Sequence, residues 1–577
     1  MTTRTDELGR VICRSLLIGF LLISAACSGR GPADRVFLGG AVYTVDAERS
    51  WAEAVAIRDG AIVYVGDDAG AEAQIGPATT VTRLEGRMLL PGFNDSHCHL
   101  SAGGFLHLNC NLTGLADLGE ITERLSNCAE SPDAGEGAWV LGGGWENLAF
   151  PDINPHRSIL DDIFPDRPVY LNSIDGHSAW VNSEALRRAG IDRDTPDPPQ
   201  GIIERDPQTG EPSGTVRDAA ITLIEKVIPA PSVEERSRWI EAGMRIAHRY
   251  GITSVIEPGV SGTMLEPYAA LDRAGRLQLR VLASLSPIGW HPGALDDSID
   301  ELLAGRERFR TPHLDVDSVK LYIDGVIEHG TGVLLEPYMG RGDDRGEPFH
   351  SQERLDDIVT RLDGDGLQVH VHAIGDRAVR MALDAFAAAR ETNGPKETRH
   401  HIVHLQLIHP DDAGRFGELG VAATFQALWA WPEPWVTELA VPMIGEERAE
   451  RMYPIGSVHR TGGRIVGGSD WFVSSLNPLE AIEVAVRRQD PDAPEGPALD
   501  ANERVDLATM LAAYTIEGAW LKKQDEQTGS IEVGKRADLI VLDRNLFEIP
   551  AAEINEARVV LTLFDGETVF ESEDGPR

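Results

Sequence analysis

Two histidines, His97 and His99, stand two residues apart in PGFNDSHCHL, directly after the apolar run Met88, Leu89, Leu90. In an extended strand alternate side chains share a face, so both imidazoles project to one side and Cys98 to the other. Two imidazoles on one face can share a metal cation. Taken alone, an HxH pair is equally well an ordinary polar loop, so the reading depends on further donors. They recur along the chain. DSVKLYIDG sets Lys320, Tyr322 and Asp324 on one face of a strand and Val319, Leu321 and Ile323 on the other. LQVHVHAIGD places His370 and His372 on one face, RHHIVHLQL offers His404, and GGRIVGGSDWF ends an apolar run with Asp470. A lone histidine is more often a core residue than a ligand. Several at successive strand ends, closed by an aspartate, point to a metal site. Lys320 fits either of two readings. Desolvation pushes a buried ammonium towards the neutral amine, which takes up CO2 as a carbamate with two ligand oxygens. The plainer alternative is a salt bridge to Asp324 or another acid.

Such residues need a frame that aims them at one point. Short apolar strands at 88–97, 252–257, 278–285, 317–324, 367–373, 401–406, 421–427 and 464–469 alternate with helical stretches. Eight strands in this pattern predict an α/β fold, a (β/α)8 TIM-like barrel whose catalytic groups sit at the C-terminal strand ends. A ninth strand at 167–173 falls in an inserted α/β subdomain of about 105–235. Hairpin-like runs around Asp59-Gly60 and near the C-terminus predict a small β-sandwich built from both termini. The expected division is 34–87 for its N-terminal part, 88–525 for the barrel and 526–577 for its C-terminal part.

The chain has 577 residues and a formal charge of -39. With no basic stripe to offset that charge, a nucleic-acid partner is not expected. Arg4, Arg10 and Arg14 precede the run SLLIGFLLISAAC, too short to span as a stable helix, and predict an export signal. Residues 1–27 resemble a bacterial lipoprotein signal with Cys27 as the lipidated residue, although Ser24 stands where an aliphatic residue is usual. The expectation is an exported protein, periplasmic or anchored to the outer membrane, touching membrane only through its lipid. In an oxidising compartment Cys110 and Cys128 can pair and stabilise by roughly 3 kcal/mol; two free buried thiols are the alternative.

The ligand pattern and the segments WVLGGGWENLAF, RPVYLNSIDGHSAWVNSEALRRAGI, VKLYIDGVIEHGTGVLLEPY, VHAIGDRA and GSIEVGKRADLIVLD resemble the amidohydrolase superfamily. Within it they are similar to the branch typified by N-substituted formamide deformylase, the YtcJ-like metal-dependent hydrolases, over about residues 35–570. The resemblance implies that His97, His99 and Asp470 hold one cation, that His372 and His404 hold a second, and that Lys320 bridges them as an N6-carboxylated lysine. Zinc is the default for imidazole and carboxylate donors, with one or two divalent cations bound. His370 and His401 fall outside the motif and are expected behind the ligands. The implied reaction is attack by a metal-activated hydroxide on a carbon–nitrogen bond of a small amide-like or formamide-like molecule. Asp470 would move the proton to the leaving amine, and His177 would donate to the carbonyl. Trp145, Glu146 and Tyr322 are expected against the substrate, and His329 bears on its choice. A homodimer is left open. Ester, lactone or phosphoester hydrolysis on the same site is an alternative. A second alternative is an exported regulatory or binding protein that has lost catalysis, against which the complete ligand set argues. No GxSxG or GxxxxGK[ST] motif supports serine-hydrolase or nucleotide-binding chemistry.

Overall fold

The structure, a computed structural model, describes residues 31–115, 117–130, 138–150, 154–198, 201–287, 298–493 and 495–576. The expected signal segment and Cys27 lie outside the described residues. No described helix is long and apolar enough to cross a membrane.

Eight parallel strands form the centre: β1 (Phe93–Asp95), β2 (Ile252–Val260), β3 (Arg280–Leu285), β4 (Leu314–Tyr322), β5 (Gln368–Ala373), β6 (His401–His404), β7 (Ala422–Phe425) and β8 (Ile465–Gly467). Each pairs with its neighbour in chain order, and Ser96 N–H donates to Gly467 O at 3.0 Å beside the last strand. This is a TIM-like barrel in which nearly every strand residue is buried, the Val/Ile/Leu-rich pattern of a sheet covered on both faces. The single strand expected at 88–97 is two strands. Met88–Pro91 pairs with Leu539–Val541 and Ala41–Val42 in a six-stranded sheet, and the chain passes into the barrel only at Phe93. Gly92 makes the passage: its N–H bonds to Asp538 O at 2.8 Å, and a Cβ there would collide with the Thr253 side chain.

That six-stranded sheet and a four-stranded one hold strands from both ends of the chain, with Phe37, Val55, Leu89, Leu539 and Leu561 in the core between them. Asp59 and Gly60, both at positive φ, turn the hairpin between Ala54–Arg58 and Ala61–Gly66. Between β1 and β2 lies a separate six-stranded mixed sheet, running from Cys110 to Asp218, with its own apolar clusters. Cys110 and Cys128 are joined by a disulfide within it.

The helix Leu100–Leu108 begins immediately after His99. It packs so tightly on the helix Val233–Arg249 that a Cβ on Gly104 would meet the Trp239 carbonyl, and one on Gly243 the Leu100 carbonyl. The longer helix starts with a Ser232/Glu235 capping box and buries Ile240, Met244 and Ala247. This contact fixes the chain directly downstream of the HxH pair.

Barrel and sandwich are joined by a buried ion pair. Arg280, on β3, donates from Nε to Asp538 Oδ2 at 2.7 Å and from Nη2 to Asp565 Oδ1 at 2.5 Å, with little exposure of Arg280 or Asp538. Replacing Arg280 by Ala leaves the buried Asp538 carboxylate without its guanidinium, while Asp565 keeps Arg536 and His313. The variant should lose about 3–5 kcal/mol in denaturant unfolding, whereas a loss below about 1 kcal/mol would mean that water replaces the guanidinium at no cost.

Candidate active site

The first and last strands deliver the site through one carboxylate. Asp95 Oδ1, at the end of β1, accepts the N–H of His97 at 3.1 Å and that of Ser469 at 3.0 Å. Asp470 N–H then donates to His97 O at 2.7 Å. Gly468 permits the approach, since a Cβ there would lie 2.9 Å from His97 N. Burial pushes the Asp95 carboxyl up to about 6, against the hydrogen bonds from Ser469 and His97.

Around this seam the strand ends place four of the predicted imidazoles in one cluster. Ring centroids of His97 lie 5.4 Å from His99 and 4.9 Å from His404, and those of His372 and His404 are 4.5 Å apart. Asp470 Oδ1 stands 3.2 Å from His97 Nε2 and 3.3 Å from His99 Nε2, and Asp470 Oδ2 stands 3.8 Å from His404 Nδ1. His404 and Asp470 both sit at positive φ (79° and 57°), a conformation uncommon for residues other than glycine. Lys320, on β4, is 1% exposed, and its Nζ lies 5.0 Å from the Tyr322 ring centroid. Register pairs Lys320 with His370 and Tyr322 with His372 on the adjacent strand. Burial pulls the Lys320 ammonium down to about 7. Burial and the Lys320 charge hold His97 and His372 at about 3, so both are neutral imidazoles at physiological pH, the form that binds metal.

The imidazoles of His97, His404 and His372 each have a partner at their other nitrogen. His97 Nδ1 meets His370 Nε2 at 2.8 Å, and His404 Nδ1 meets Gln426 Oε1 at 2.9 Å. His372 Nε2 donates to Gly325 O at 3.1 Å. His370 packs on His401 with ring centroids 4.0 Å apart and planes tilted by 37°, and His401 Nδ1 bonds Thr424 Oγ1 at 3.0 Å, so both lie behind the cluster rather than in it. Asp324 is no partner for Lys320: it is fully buried and accepts N–H groups of Val333, Ile374 and Gly375.

The cluster floors a cavity of about 500 Å³. His177, Glu146, Tyr322 and His329 line it. His177 Nδ1 is held by Asp218 Oδ1 at 3.0 Å. Burial would lower the His177 imidazole, but Asp218 and Asp175 outweigh it and hold it above its ordinary value. Trp145 does not line the cavity. It is 0% exposed, donates from Nε1 to Leu171 O at 2.8 Å and packs edge-on against Phe150 in the core of the inserted subdomain. The strand alternation that turns Glu146 towards the cavity turns Trp145 away. Sequence reasoning also missed the wall formed by Trp429, Trp431, Glu433 and Trp435. The segment LWAWPEPW directly after β7 carries the signal that could have found it, three tryptophans within seven residues at a strand's C-terminal end.

These residues fit a cation. His97, His99 and Asp470 each offer a ligand atom, all within 4.8 Å of one another. Asp470 Oδ1 is buried with no hydrogen bond, although two imidazole nitrogens converge on it. Neutral nitrogen and carboxylate lone pairs facing each other in a dry lumen gain a favourable interaction when a divalent ion stands between them.

Residues 81–570 match the amidohydrolase family. The chain belongs to that family. This amidohydrolase is 31% identical to the protein LONG AFTER FAR-RED 3 of Arabidopsis thaliana, over 93% of this chain and 92% of that protein. It is 28% identical to the N-substituted formamide deformylase of Arthrobacter pascens, over 93% and 98%. Among solved structures, an uncharacterised metal-dependent hydrolase from Pyrococcus furiosus superposes with a TM-score of 0.70 at 28% identity, over 89% of this chain and 99% of that one. The amidohydrolase is accordingly an enzyme, a metal-binding hydrolase of carbon–nitrogen bonds other than peptide bonds.

Proposed function

We propose that this enzyme hydrolyses the carbon–nitrogen bond of a small, non-peptide amide or formamide-like molecule at the centre formed by His97, His99, Lys320, His372, His404 and Asp470. One observation carries the reading: the buried Asp470 Oδ1 makes no hydrogen bond, yet it faces His97 Nε2 and His99 Nε2 at the floor of a substrate-sized cavity. His97, His99 and Asp470 would hold one divalent cation and His372 and His404 a second, with Lys320 between them as an N6-carboxylated bridge. Zinc suits this donor set. Such a cation acts as a Lewis acid, acidifying water to a pKa of about 7 and polarising a carbonyl.

The chain's own groups supply the rest. Asp470 accepts the proton of the attacking water and returns it to the departing nitrogen, so that an amine leaves and a carboxylate or formate remains. His177, oriented through Nδ1 by Asp218, donates a hydrogen bond to the substrate carbonyl oxygen as it gains charge. Tyr322 and the aromatic wall keep bulk water from the reacting centre. The deformylase of Arthrobacter pascens, similar over nearly the whole chain, supports amide-like substrates.

We further read residues 1–27 as a lipoprotein signal, which would put the enzyme in the periplasm or on the outer membrane through a lipid on Cys27. Its partners are then a small molecule and a lipid surface.

Three outcomes are expected. The mature protein should release an amine from some member of a panel of N-substituted formamides and acylated amines. That activity should vanish with chelator, and in Asp470→Asn it should fall about 10²–10⁴-fold while circular dichroism is unchanged; turnover of esters or lactones alone would overturn the carbon–nitrogen assignment. Lys320→Ala should lose metal, measured by elemental analysis, and recover part of its activity with added short carboxylic acids, whereas full metal occupancy would exclude the carbamate bridge. Cys27→Ala should move the protein from the membrane to the soluble fraction, and unchanged fractionation would defeat the lipid anchor.

A further inference from the structure

The cavity above the cluster has an uneven charge that the hydrolytic mechanism does not use. Among the described lining residues six besides Asp470 are aspartate or glutamate, whereas Lys320, at the floor, is the only lysine or arginine among them. Three of the acids, Glu146, Glu328 and Glu433, lie close enough to interact: Glu328 and Glu146 both act on the Glu433 carboxyl. Gln406 Nε2 donates to Glu328 Oε1 at 2.6 Å. Neither Glu146 nor Glu433 has a hydrogen-bonding or ion-pairing side-chain partner among the described residues. Burial, with those two like charges added, pushes Glu433 up to about 8. The histidines on the other side are already balanced, His177 by Asp218 and His329 by Asp175 at 3.6 Å.

Aromatic faces surround the acids. Trp431 and Trp435 bracket Glu433 in the same segment, and Tyr453 and Trp429 complete the wall. Trp429 stacks on His404, with centroids 5.9 Å apart and planes 9° from parallel, which connects the wall to the metal ligands. Like-charged carboxylates in a partly dry, aromatic-lined space repel one another unless a cation joins them, and an organic cation gains further from the ring faces. A hydrated metal ion has no use for indole walls. An ammonium or guanidinium on a carbon skeleton uses both.

We propose that Glu146, Glu328 and Glu433, with Trp429, Trp431 and Trp435, form a subsite for a cationic group, so that the preferred substrate is an amide carrying a positively charged amine or guanidine away from the scissile bond. The inference rests on the hydrolase reading above and names its substrate class. Asp490 and Asp492 at the rim extend the negative field to the entrance and would draw cations in.

Binding tests this separately from turnover, with phenethylammonium and its neutral near-isostere 2-phenylethanol as probes and cavity tryptophan fluorescence as readout on the metal-loaded protein. Phenethylammonium should bind about ten-fold more tightly than the alcohol, and Glu433→Gln should remove most of that advantage while leaving the affinity for the alcohol unchanged. Glu146→Gln should act in the same direction, and retained alcohol binding in each variant shows that the cavity is still formed. Equal affinity for the two probes in the unaltered protein, or an undiminished preference in both variants, overturns the subsite. Amide turnover without a cation preference would leave the hydrolase reading standing and remove this one. Ammonium binding that is lost in the variants, in a protein that hydrolyses no amide, would support the subsite and count against the hydrolase reading.

Discussion

The Asp95 carboxylate joins the first strand of the barrel to the loop after the last. By accepting both the His97 and the Ser469 N–H groups, one buried oxygen sets the position of residues 372 apart in sequence. The Asp470 N–H then reaches His97 O, so two of the ligand-bearing segments are tied by main chain before any side chain is considered. A buried acceptor with two amide donors resists displacement because each freed N–H would be left without water. The placement of the reacting groups follows from that seam.

What those groups face is a lumen from which solvent is almost excluded. Burial keeps His97 and His372 neutral, lowers the Lys320 ammonium and leaves Asp470 Oδ1 without a hydrogen bond. In water each of these features would be relieved by solvent; here, under the proposed function, a bound cation would relieve them together. His404 and Asp470, both at positive φ, mark where the backbone departs from its comfortable regions to bring donors inward. Behind them His370, Gln426 and the Gly325 carbonyl each engage one nitrogen of His97, His404 and His372, which under the proposed function would leave the other for the ion.

The substrate side is built differently, from segments between the strands. His177 and Glu146 come from the inserted subdomain, whereas the tryptophan wall and Glu433 come from the segment after β7. Strands supply the reaction centre with little freedom to vary, and the connecting segments shape the space above it. Under the proposed function, hydrolytic chemistry and substrate choice fall to separate parts of the chain.

Spacing alone made much of this legible. Alternation along a strand puts residues two apart on one face, so HxH, the Lys320 to Tyr322 pair and the His370 to His372 pair could each be oriented before any fold was known. The eight strands and the family resemblance are equally matters of local pattern. Tertiary structure decided what local pattern cannot reach. It split the apolar run 88–97 between two sheets at Gly92, because whether an apolar strand is buried by a sandwich or by a barrel depends on partners hundreds of residues away. Strand alternation could not separate His370 and His401 from His372 and His404 on the same strands; the family motif did so, and packing gives their distances. Trp145 and Glu146 are adjacent in sequence, and only packing of the inserted sheet sends one into a core and the other to the cavity. Residue type and spacing determine which groups can act together; their distances, burial and charge neighbours depend on long-range closure, which no short stretch of sequence encodes.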